Sequence, residues 1–567
     1  MWNTPARAAM VPLLAMLLAC APTAPASKTG DAPPPRPRPN RTVTLIARAE
    51  PGTLGARPLT GGTGGTTILV APFNASLDDV DENGAVIPSL AEALPQLHTD
   101  SWRVYPDGRM ETTYRLRPNL TWQDGAPLTA DDFVFALRVY QNPSYGSSGP
   151  PTSYMDEITA PDARNLVIRW RQPYPDAGVL GPTGFPPLPR HILEAQYREL
   201  DALGFASLPF WIRDYVGLGA YRIDQWEPGS FFEATAFDGY VMGRPKIDRM
   251  RMVFMGDTNT ALATMLSGEA HYVTDFVLYY EDGLNLEREW KRENGGTVHW
   301  FPNLLRITNI QVRSDLANPA LLRDVRVRKA LAHGIDINEG FEVITGGKGA
   351  FALAPMTLDD PFYPAVEKAV ARYPYDPARA RQLLEDVGLS RGSDGFYRTA
   401  AGDPLSIEYS FILQASNERE TSIFVDSLRR VGIDASTRAF TAVQIRDAQL
   451  YTSFPGLNLT NAGNAFWHYL RGEIPTAANR YSGKNYTGWE NAEFERLYNS
   501  FSSTLEPSER ERQAVALARI WSEELPTIPH YFTPVVNGWS AQLVGVAPRT
   551  RSTVAPLGHM ERWDWKS

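Results

Sequence analysis

A single cysteine limits how this chain can hold itself together. Cys20 is the only one in 567 residues, so neither an intramolecular disulfide nor a cysteine-built metal cluster is available. Stability has to come from buried apolar surface. Hydrophobic residues make up 43% of the chain, with 14 Trp, 24 Tyr and 24 Phe, enough for large cores or an aromatic-lined cavity. Such a chain is not disordered as its main state. Its length corresponds to about three to four domain-sized units. A net charge of -9 argues against a nucleic-acid partner read through a basic surface.

The position of Cys20 carries more information than its solitude. Arg7 supplies a positive start, and Val11 to Ala19 is apolar but shorter than the roughly 20 residues a bilayer span needs. The run ends in Leu17-Leu18-Ala19-Cys20, which resembles the lipobox of bacterial lipoproteins, whose cysteine becomes lipidated. An ordinary secretory signal with an incidental cysteine is the blander alternative. Residues 21–40 are rich in Pro and Ala, favour extended backbone and read as a tether. The expected localisation is therefore extracytoplasmic, held to a bacterial membrane by lipid.

Past the tether, Thr42 to Ala47 alternates like a strand, and Thr67 to Ala71 reads as a second strand-like piece. Gly61 to Gly65 lacks the Lys-Ser/Thr of a phosphate loop and reads as a plain loop. Trp102 to Tyr105 and Met110 to Leu116 form a hairpin pattern around the turn Pro106-Asp107-Gly108. Thr129 with Asp132 predicts a capped helix carrying Phe133, Leu137 and Tyr140 on one face.

Several blocks, in this order and spacing, resemble the extracytoplasmic solute-binding proteins that serve oligopeptide and dipeptide ABC importers (bacterial solute-binding protein family 5). They are Leu90-Ala91-Glu92, Trp122-Gln123-Asp124-Gly125, Leu128-Thr129-Ala130-Asp131-Asp132, Gly217-Leu218-Gly219-Ala220-Tyr221, Leu266-Ser267-Gly268-Glu269-Ala270 and Leu322 to Asp336. Asp376-Pro377 through Gly388 and Leu428 through Ile433 complete the set. Each block has a structural reading as a cap, turn or packed helix; Gly388 and Gly432 stand where helices should stop in left-handed backbone.

The resemblance implies an α/β, two-lobed, periplasmic-binding-protein-like fold with an extra subdomain in the first lobe. On that basis residues 1–20 are the signal with its lipobox cysteine and 21–40 the tether. The first lobe takes 41–85, 201–305 and 536–567, its subdomain takes 86–200, and the second lobe takes 306–535. The implied function is capture of a peptide-like or other small organic solute between the lobes and delivery to a permease and its ATPase. The protein is expected to act as a monomer without cofactor or metal and to perform no covalent chemistry. No HExxH, G-x-S-x-G or cysteine nucleophile is present, and none of the eight histidines lies four residues from another. A secreted hydrolase using the same cleft and a solute-sensing lipoprotein without transport remain alternatives.

Peptide-binding members hold the solute's ammonium with an aspartate from the second lobe. The corresponding stretch here, Tyr451 to Gly472, contains no Asp or Glu. Asn461 and Asn464 occupy it, followed by Phe466 and Trp467, whose rings are either stacking faces or core. A neutral or blocked solute is therefore also admitted, as is a carboxylate from elsewhere, such as Asp447 or Glu473. Arg306 and Asn309, near the passage into the second lobe, and Tyr154, in a Gly/Pro/Ser-rich loop, complete the expected ligand-binding set. Among the histidines, His271 and His468 are minor candidates for a cavity.

Overall fold

The computed structural model describes residues 41–59, 67–145, 149–462 and 465–567. Cys20, the tether, the Gly61–Gly65 loop and Asn464 lie outside the described residues. No helix among those described is long and apolar enough to cross a membrane.

The chain folds into two α/β lobes sharing one eleven-stranded mixed sheet. Two long strands, Gly296–Ile310 and Thr527–Ser540, pair antiparallel along almost their whole length and form the ribbon between the lobes. At one end the ribbon pairs with Tyr272–Val273, which leads to Thr42–Ala47 and Arg249–Phe254 in the first lobe. At the other end it pairs with Leu457–Ala462, which leads to Ser406–Ile412 and Asp434–Phe440 in the second. Its register slips between Pro302 and Leu304 and again between Arg306 and Ile307. Such irregularities bend a ribbon and increase its twist.

The subdomain of the first lobe is built on a four-stranded antiparallel sheet that includes the expected hairpin. Trp102 pairs with Thr112 around a turn in which Gly108 has φ +86°. Helix Ala130–Tyr140 begins where Thr129 predicts it, with the Asp132 carboxylate accepting from the Thr129 amide at 2.8 Å. Phe133, Leu137 and Tyr140 are all buried. Gly388 and Gly432 have φ of +86° and +111°, as their helix-stop positions require. Arg328, in the block Leu322 to Asp336, is buried and donates to the carbonyls of Leu322, Arg323 and Glu524. It thus satisfies the last turn of helix Pro507–Glu524.

One local expectation fails. Thr67–Phe73 is a 3-10 helix, not a strand. Its β-branched start suggested extended backbone, but burial of Leu69, Val70 and Phe73 on one side and capping of the Val70 carbonyl by Asn74 Nδ2 at 2.7 Å favour a tight turn. Gly217 and Gly219 lie against it. The Gly219 amide donates to the Phe73 carbonyl at 3.0 Å, and a Cβ on Gly219 would stand 2.3 Å from the Asn74 nitrogen. Close approach of two backbones is the reason for both glycines.

Candidate functional site

The sheet's register aims both lobes at the same gap. In the first lobe Tyr272 faces Trp539 and Val273 faces Gly538, so this strand and its parallel neighbour Thr42–Ala47 run toward the middle of the ribbon. In the second lobe Leu457 faces Ile310 and Ala462 faces Leu305, so Leu457–Ala462 and its parallel neighbour Ser406–Ile412 run toward the middle too. Both lobes therefore present the carboxyl ends of parallel strands to the crossing, the place where α/β sheets bind ligands.

A cavity of about 500 Å³ opens there, lined by Phe301 and Asn303 of the ribbon, Phe532, Asp359, Arg549 and Ser552 among others. Arg549 is buried, lies 3.1 Å from Asp275, donates to the Ser552 carbonyl at 2.7 Å and sits over the Phe301 ring. Asp275 also accepts from Asn537. Burial raises the Asp275 carboxyl, with the Arg549 charge opposing it. Asp359, from the second lobe, accepts from the Ser552 amide at 2.8 Å and hydroxyl at 2.9 Å. Burial pushes the Asp359 carboxyl up, yet these donors and Thr357 together bring it below the usual carboxylate range. Among the described residues no cationic side chain stands within ion-pair distance of it.

Arg306 anchors the second-lobe side of the crossing. Its Nε and Nη2 donate to Glu420 at 2.9 and 2.6 Å, and Nη2 also donates to Asn417 at 2.7 Å. Tyr531 adds a hydroxyl to Glu420 at 2.5 Å. Burial opposes the Glu420 charge, but Arg306 and His530 outweigh it and hold the carboxyl at about 2.

On the far side of the gap the lobes touch. Arg510 of helix Pro507–Glu524 forks onto Asp176 of the first lobe at 2.9 and 3.0 Å, with its guanidinium over the Phe501 ring. Asp176 follows Tyr174, which is stacked on Trp170 and packs against Tyr154 at 5.2 Å. Asp176→Asn should loosen this contact. The pair is partly exposed, so its worth is at most about 1 kcal/mol. A larger radius of gyration by small-angle scattering in the solute-free variant is the expected result; an unchanged scattering curve would show that the pair does not hold the lobes together.

The residues expected from sequence fare unequally. Asn461 is exposed, at the carboxyl end of its strand, opposite Arg306 in register. Tyr154 is half-buried on the wall that approaches the second lobe. Trp467 is half-buried, packed on a second-lobe core and against His468. Phe466 is a correction: it is 4% exposed, inside that core, edge-on to Phe494 and Phe501, and has no free face for stacking. Arg306 is a second: Glu420 already neutralises its guanidinium, which braces the ribbon instead of lining a free site. Asn309 is buried in the ribbon between Asn458 and Thr527. Asp447 caps a short helix through the Leu450 amide, and His271 accepts from the Thr44 amide, so both have structural tasks. Asp359, Arg549 and Asp275 were missed. Asp359 sits in Leu358-Asp359-Asp360-Pro361, which reads as an ordinary turn, and Arg549 and Asp275 are far apart in sequence.

Two α/β lobes joined by a two-strand ribbon, with a cavity at the crossing lined by aromatic and a few charged side chains, define a protein built to enclose a small solute. The chain belongs to the bacterial extracellular solute-binding proteins, family 5, whose model matches residues 92–473. It is 26% identical over 339 residues to a putative ABC transporter peptide-binding protein of Brucella ovis, covering 58% of this chain and spanning 57% of that relative's length. It is 22% identical over 509 residues to the oligopeptide-binding protein AppA of Bacillus subtilis, covering 86% of this chain and 85% of that one. Among solved structures, an oligopeptide-binding protein of Thermus thermophilus with a pentapeptide superposes with a TM-score of 0.76 at 21% identity, covering 93% and 96% of the two chains. NikZ of Campylobacter jejuni, solved with Ni(L-His), gives 0.76 at 19%, covering 93% and 100%.

Proposed function

We propose that this protein captures a peptide-like solute between its lobes and delivers it to the permease and ATPase of an ABC importer. It does so as a monomer, tethered through a lipid on Cys20 at the outer face of a bacterial membrane. The observation that carries this reading is the convergence of both lobes' strand ends on one cavity whose Asp359 carboxylate has, among the described residues, no cation within ion-pair distance. Family membership and the peptide-binding relatives support it. Asp359 takes the solute's ammonium in place of the aspartate absent from Tyr451 to Gly472. Asn461, Asn464, Trp467 and Tyr154 remain the proposed second-lobe and first-lobe contacts around it, within the lobe boundaries inferred from the sequence. Lobe closure then buries the solute, and the permease reads the closed form because solute binds it in preference to the open one.

The test is calorimetry on the full-length protein in mild detergent, with trialanine and N-acetyl-trialanine as probes. Trialanine should bind more tightly than its acetylated form. Asp359→Asn should weaken trialanine about 10- to 100-fold, the worth of hydrogen bonds to a charged group. Equal binding of the two probes to the wild type would remove Asp359 from this role and favour a neutral or blocked solute.

A further inference from the structure

Asp359 shares its cavity with an apolar wall. Trp300, Phe301 and Pro302 of one ribbon strand, Phe532 of the other and Leu358 all line the space at the crossing. Phe532 is 1% exposed, in a small core with Leu305, Ile307 and Ala352, and the partly buried Leu358 packs against that core. The core thus continues into the cavity through Leu358, the residue directly before Asp359.

The cations beside this wall are already matched. Arg549, over the Phe301 ring at 4.6 Å, is paired with Asp275. Lys348, over the Trp300 ring at 4.5 Å, stands 3.9 Å from Glu287. His299 Nε2 donates to the Arg549 carbonyl at 2.8 Å, and burial lowers this imidazole, so it is neutral at pH 7. Among the described residues that line the cavity, Asp359 is therefore the charged side chain with no opposite charge within 4 Å. In a peptide the ammonium and the first side chain leave the same carbon. An ammonium on Asp359 brings that side chain into the same cavity. An apolar side chain gains by burial against the wall. A carboxylate there would lose water next to Asp359 with no cation left to meet it.

We propose that this wall selects the first side chain of the solute, so that the protein prefers peptide-like solutes with an apolar amino-terminal residue and discriminates against an acidic one there. This rests on the reading of Asp359 as the partner of the solute's ammonium. The probes are trialanine, Phe-Ala-Ala, Ala-Ala-Phe and Glu-Ala-Ala, measured by calorimetry on the full-length protein in mild detergent. Wild type should bind Phe-Ala-Ala at least about tenfold more tightly than trialanine. It should also prefer Phe-Ala-Ala to Ala-Ala-Phe, which has the same composition with the ring at the other end, and bind Glu-Ala-Ala more weakly than trialanine. Leu358→Asn should bring the ratio of Phe-Ala-Ala to trialanine close to one, whereas Leu358→Met keeps the wall apolar and should keep the preference. If Leu358→Asn does not fold by circular dichroism, the comparison of ring positions in wild type still decides. Binding of Phe-Ala-Ala no tighter than trialanine or Ala-Ala-Phe in wild type, or an undiminished ratio in folded Leu358→Asn, overturns the proposal. The Asp359 reading then stands as long as trialanine outbinds its acetylated form. Failure of wild type to bind any of these probes overturns both.

Discussion

Replacing Arg306 by Met should cost about 3–5 kcal/mol of stability in denaturant unfolding, because it leaves the Glu420 carboxylate buried without its counter-charge. The intact pair need not add much stability itself. Desolvating two charges roughly cancels their attraction, and the cost appears when one partner goes. The double variant Arg306→Met with Glu420→Leu should therefore lose less than the single one. Glu420 also fixes an acid limb. Its carboxyl stands at about 2 in the folded protein against an ordinary 4.5. A carboxyl lowered on folding gives stability that is complete above about pH 4.5 and is lost as the pH falls toward about 2. In Arg306→Met the carboxyl is left to burial, its value rises, and the acid limb should move to higher pH. A loss under about 1 kcal/mol with an unmoved limb would mean that this pair does not brace the second-lobe end of the ribbon.

Gly219→Ala should be nearly as damaging, at about 3 kcal/mol, the upper part of the usual overpacking cost. The added methyl would meet backbone on all sides: the Asn74 nitrogen and the Phe73 carbon at 2.3 Å and the Pro72 carbonyl oxygen at 2.4 Å. No rotamer can relieve this, so the turn Thr67–Phe73 has to move. Gly229→Ala is the control. That glycine has φ +72° and open space around its missing Cβ, so only backbone strain of about 1–2 kcal/mol applies. If both variants lose the same amount in thermal unfolding, close approach is not what Gly219 is for.

These two positions show what kind of information the chain carries in plain view. Gly219 belongs to a block with a local signature, Gly217 to Tyr221. The turn it packs against is not legible locally, because Thr67 to Ala71 has strand composition and only contacts with distant Gly217 and Gly219 select the tighter backbone. The position of Arg306 near the crossing is legible in the sequence; its partner is not. Glu420, 114 residues away, takes its guanidinium.

The same division holds for the site. Caps, turns and helix stops were legible since they depend on a few adjacent residues: Thr129 with Asp132, Gly108, Gly388, Gly432. The order of such blocks was enough to indicate the two-lobed fold. The missing second-lobe aspartate was legible too, as an absence within one segment. Whether an aromatic such as Phe466 faces a cleft or a core was not, because helical turns in either setting have the same composition.

By itself, then, the sequence determined the family, the fold class and the local geometry of its caps and turns, because short-range hydrogen bonding and backbone preference fix those. Tertiary structure alone decided which charges are spent and which are free. Arg306, Arg510 and Arg549 meet carboxylates from remote segments, whereas among the described residues no cation stands within ion-pair distance of Asp359. Pairing of charges is a matter of proximity after folding, and sequence separation carries no record of it.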